Sequence, residues 1–131
     1  MFERFRIKTA LRGEIILLRR QGLDISALAK AELLFFEPAF FVAPRMRQER
    51  WTSEQAMVHM VTEVLVQAEQ QGALTALRTE DVRVYEALRA IYRHVIARAA
   101  ADPALSACVS KPGWAQPAPF ANDGASASKP L

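Results

Sequence analysis

TSEQAMVHMVTEVLVQAEQQG, residues 52–72, is the stretch that decides the fold class. Thr52 and Gln55 stand at the spacing of a capping box, in which each side chain satisfies the other residue's free backbone N–H. Met57, Val61, Val64, Leu65 and Ala68 then recur on one helical face, with His59, Glu63 and Gln70 opposite them. Gly72 suits the left-handed residue that closes a helix. The spacing therefore predicts a helix over 52–72 with one apolar and one polar face.

Downstream, a further helix is expected to open at Thr79, where Glu80 and Asp81 sit favourably against the positive end of the helix dipole. Its core face is Val84, Leu88, Ile91 and Val95, flanked by Tyr85, Tyr92 and Ile96, with Glu86, Arg89 and Arg93 as a solvated stripe. Upstream, Phe2 to Gln21 reads as a helix with Ile7, Leu11, Ile15 and Leu18 on one face, ending at Gly22. Asp24 is the expected cap of a second helix that packs antiparallel to the first across a very short turn. This helix is apolar almost all round (Ile25, Leu28, Ala29, Leu33, Leu34, Phe35, Phe36), which suits a central position or a shared face. It is expected to bend or stop around Pro38, and residues 43–51 read as a basic connector.

The fold class is thus all-α: a small antiparallel bundle of about four helices over residues 1–102. Five of the seven prolines (Pro103, Pro112, Pro117, Pro119 and Pro130) follow Asp102, so residues 103–131 are expected to be a flexible Pro/Ala/Ser-rich tail. Within it Trp114 and Phe120 punctuate an extended run that either docks into a groove, folds back on its own domain or serves as a passive extension.

Composition excludes several classes of function. The chain has 131 residues, enough for one core. Its lone cysteine, Cys108, forms no intramolecular disulfide, and the charged N-terminus lacks the apolar run of a signal peptide. No run of about 18 apolar residues occurs, so the chain is expected to be cytoplasmic and without a transmembrane segment. The five glycines lie far apart, which argues against a phosphate-binding loop. One Cys and two His fall short of the roughly four ligands of structural zinc, and the Glu-x-x-His pairs of carboxylate-bridged bundles are missing. His59 and Glu63 stack at four-residue spacing on the polar face, where a solvated pair is the ordinary account. His94 has no acid three or four positions away. No catalytic residue, metal or cofactor is expected, and a small-molecule substrate is not evident.

Two features point to binding. Leu33-Leu-Phe-Phe-Glu-Pro-Ala-Phe-Phe-Val42 carries Phe35, Phe36, Phe40 and Phe41 within seven residues, a set that belongs in a core, at a homo-oligomer or partner interface, or around a small apolar ligand. Glu32 or Glu37 beside them is expected to be partly desolvated and to seek Arg45, Arg47 or Arg50. On the first helix Lys8, Arg12 and Arg19 form a stripe with Arg4 nearby. With Arg45, Arg47 and Arg50 it suits an anionic ligand or nucleic acid, unless it is only the wet side of a helix. A helix-turn-helix around residues 25–31 fails where the recognition helix should stand. The expectation is a non-enzymatic protein–protein interaction or regulatory module, homodimeric through the Phe-rich helix. The alternative is a nucleic-acid-binding accessory or regulatory protein.

Overall fold

The capping box forms as its sequence demands. The Thr52 hydroxyl accepts from the Gln55 backbone N–H at 3.1 Å, and the Gln55 side-chain oxygen Oε1 accepts from the Thr52 N–H at 2.8 Å. They open a helix over Ser53–Gln70 that stops before Gly72, whose φ is +75°. The computed structural model describes residues 2–121, and in chain order its helices are α1 (Glu3–Arg20), α2 (Ile25–Leu33), α3 (Phe36–Glu49), α4 (Ser53–Gln70), α5 (Ala73–Glu80), α6 (Val82–Ala100) and α7 (Pro103–Ser106). The fold is all-α, and no helix among the described residues is long and apolar enough to cross a membrane.

Among the described residues seven helices stand where about four were expected, and the reasons are local. The chain breaks at Leu34–Phe35, ahead of Pro38, rather than at the proline. Pro38 is the third residue of α3, where a backbone N–H would have no partner within the helix, so the ring costs no hydrogen bond and helps to start a helix. The basic connector over 43–51 is in fact the latter half of α3. This helix runs through Pro44, and because Pro44 and Phe40 are both exposed, water can take the carbonyl that the ring leaves free. Arg50 ends α3 at φ 58°, a left-handed position that usually selects glycine. Downstream, Asp81 and not Thr79 caps α6, accepting from the Val84 N–H at 3.3 Å, and α5 fills the expected connection.

The central helix is α4, not the apolar second segment. It touches α1, α3, α5, α6 and α7, and every residue from Ala56 to Thr62 is buried. Around it lie Ile7 and Leu11 of α1 and Val84, Leu88, Ile91 and Val95 of α6, the predicted face in full, and Leu28 of α2 joins the same core.

The boundary at Asp102 separates compositions but not packing. Leu105, Cys108 and Phe120 are buried, and the Ser110 N–H donates to the Thr62 hydroxyl at 2.8 Å. The Phe120 ring meets Tyr85 edge-on at 5.3 Å and Tyr92 at 5.7 Å. Residues 103–121 thus form a strap across α4 and α6, while the expected flexibility of 122–131 falls outside the described residues. Phe120→Ala is expected to cost about 3–5 kcal/mol in urea unfolding. An unchanged midpoint would mean that the strap is not part of the core.

Candidate interaction surface

Helix α1 presents residues four apart to the α2–α3 side, and each meets a partner there. The Arg4 guanidinium lies 3.8 Å from the centroid of the Phe40 ring, and the Lys8 ammonium lies 4.2 Å from that of Phe36. One turn further, Arg12 Nε donates to Glu32 Oε2 at 2.6 Å. The desolvated carboxylate foreseen in this region is therefore Glu32, but its partner is Arg12 rather than Arg45, Arg47 or Arg50. The basic stripe and the Phe-rich segment, two separate features of the sequence, largely face one another.

The four phenylalanines divide. Phe35 is fully buried and belongs to the core, which removes it from the expected interface. Phe36 is half-buried beneath Lys8. Phe40 and Phe41 remain 56% and 74% exposed on α3, next to a helix corner where Leu33 and Leu34 are 59% and 50% exposed. Four large apolar side chains within nine residues are thus left half or more in water, where burial of each would be worth about 1.5–3 kcal/mol.

The six basic residues expected to form one anionic-ligand surface are mostly committed elsewhere. Lys8 and Arg12 are engaged as above, and Arg47 lies 3.7 Å from Glu3. Arg45 turns inward, with Nη1 3.2 Å from His59 Nε2 and its guanidinium 5.3 Å from the Trp51 ring centroid. Arg50 is exposed at the end of α3, and Arg19 is exposed on α1 beside Ile25 and Ala29 of α2.

Both histidines depart from their expected settings. His59 is buried, because the polar face of α4 is covered by Arg45, Trp51 and the strap. Burial first, and then the Arg45 charge, push its imidazole below the ordinary 6.5. With Arg45 donating to Nε2, the ring proton sits on Nδ1, towards the Cys108 carbonyl. His94 Nε2 lies 2.9 Å from Oε1 of Glu14, a buried carboxylate that also accepts from Arg98, and Arg98 in turn pairs with Glu54. Glu14 thereby ties α1 to α6 and, through Arg98, to α4. A local signal existed for this residue, since it interrupts the buried run Ile7, Leu11, Ile15 and Leu18 from within.

Compared with protein-family models, curated proteins and solved structures, the chain matches none of them.

Phe35→Ala is expected to destabilise the fold by about 3–5 kcal/mol, whereas Phe41→Ala should leave the stability of the isolated chain within about 0.5 kcal/mol. Denaturant unfolding of the two variants at low concentration checks the division between core and surface. For His59, NMR titration is expected to show ring protonation below pH 6.5. Because the unfolded chain then binds more protons than the folded one, the His59 contribution is expected to lower stability as the pH falls below 6.5, and His59→Gln should flatten that dependence.

Proposed function

We propose that this protein is a non-enzymatic, cytoplasmic interaction module that pairs with a second copy of itself through the outer face of α3 and the α2–α3 corner. The observation that carries this reading is the exposure of Leu33 and Leu34 at the α2–α3 corner and of Phe40 and Phe41 on the helix that follows it. Large apolar side chains left exposed close together in the chain mark a binding surface more often than a scatter of single ones does.

A second copy is favoured over an unrelated partner by the charges around Phe41. Glu37 precedes it by one helical turn and Arg45 follows it by one, and all three residues are exposed. If two α3 helices lie antiparallel across a twofold axis near Phe41, Glu37 of each copy meets Arg45 of the other, as a self-complementary interface requires. A guanidinium has five N–H donors, so Arg45 can serve Glu37 of the second copy while keeping His59. The nucleic-acid alternative draws less support, because Lys8, Arg12 and Arg47 already have intramolecular partners.

Phe41→Glu is expected to convert the dimer to a monomer in sedimentation-velocity runs while the far-UV circular dichroism stays helical. A wild-type chain that is monomeric at 100 µM, roughly the upper end of a weak association, would sink the proposal.

A further inference from the structure

We propose that the groove between the α1–α2 elbow and α6 binds an amphipathic organic anion, a molecule with one acidic group and a hydrocarbon body. The groove has a volume of 630 Å³, within the range of about 300–1,000 Å³ typical of small-molecule sites. Its wall is built from Leu18 at the end of α1, Leu23 in the turn, Ala27 of α2, and Ala87 and Ala90 of α6. The three alanines leave open the space that larger side chains would fill where α2 meets α6. Between Val82 and Arg93 the α6 side runs for about 16 Å at 1.5 Å per residue, long enough for an extended hydrocarbon chain.

The charges select the sign of the ligand. Arg83, Arg89, Arg93 and His94 line the groove against Asp24 and Glu86. Arg83 lies 3.6 Å from Asp24, Arg89 pairs with Glu86, and His94 is held by Glu14. That leaves Arg93, which forms no ion pair among the described residues, as the cation at the His94 end. A guanidinium there presents a fork that matches a carboxylate or a phosphate, and the apolar wall takes the remainder of the molecule. No residue of α3 takes part, so this site stands apart from the proposed pairing surface.

The test is a titration of the full chain with decanoate, followed by ¹H–¹⁵N NMR. Saturable shifts at Leu23, Ala27 and Ala90 are expected. Arg93→Glu, a surface change that leaves the fold intact, should weaken binding at least about tenfold. Ala90→Trp, which fills the groove, should abolish the shifts. Binding of decanol as tight as that of decanoate would overturn the proposal, as would shifts confined to α3. Sedimentation with phosphatidylglycerol vesicles separates the two sources of such an anion. Vesicle binding lost in Arg93→Glu would assign the site to a lipid, binding of free decanoate alone would assign it to a soluble fatty acid, and the absence of both would overturn the proposal.

Discussion

The constraint on which the rest depends is the enclosure of α4. A helix buried from Ala56 to Thr62 hides all of its faces, including the one that carries His59 and Thr62. A buried polar group without a partner costs about 1–3 kcal/mol, so such a helix is stable only if other elements bring partners to it. Arg45 in the latter half of α3 and the Cys108 carbonyl serve His59. The Thr62 hydroxyl donates to the Val58 carbonyl and accepts from the Ser110 N–H, and the Ser110 hydroxyl donates to Glu63. The course of α3 past Pro44 and the return of the strap over α4 are thus two answers to one requirement.

Helix α1 is oriented by a different device. Its core face would pack over a range of rotations if it were purely apolar, but two buried carboxylates restrict it. Glu14 must reach His94 and Arg98, and Glu32 of α2 must meet Arg12. Buried ion pairs add little net stability, because desolvation offsets much of the attraction, yet breaking one of them is costly. Their effect here is on register: one pair points α1 at α6 and the other at α2. Nearer the start of α1, Arg4 and Lys8 lie over Phe40 and Phe36, each contact contributing about 0.5–1 kcal/mol at a partly exposed site.

What was legible in the sequence were features that act over one or two turns. The capping box at Thr52, the cap at Asp24 and the core face Val84, Leu88, Ile91 and Val95 stand where the local pattern puts them. The misreadings required long-range information. Pro38 reads as a stop until the helix break is known to precede it, after which the same ring is a start. His59 lies on a polar face whose exposure depends on Arg45, fourteen residues earlier, and on a strap some fifty residues later. A Pro-rich composition disfavours helix and sheet but does not prevent docking, as Phe120 against Tyr85 illustrates. The candidate surface was legible as a set of residue types, but its division into a buried Phe35 and an exposed Phe41 was not, because the break at Leu34–Phe35 sets which face each one joins.

The arrangement of α3 bears on why apolar surface is left over at this corner. Its inward positions are Ala39, Val42, Ala43 and Met46, whereas Phe40 and Phe41 point outward. Small residues at a helix contact let backbones approach closely, and that approach is what brings Arg45 within reach of a histidine on α4. Rotating α3 to bury Phe41 would withdraw the alanines from α1 and α4, remove Arg45 from His59 and leave a buried imidazole unpartnered. The internal polar requirement therefore holds the large side chains outward, and they can leave water only by contact with another surface. The exposed apolar corner is then a consequence of how α4 is enclosed, since the same helix rotation that satisfies His59 exposes Phe41.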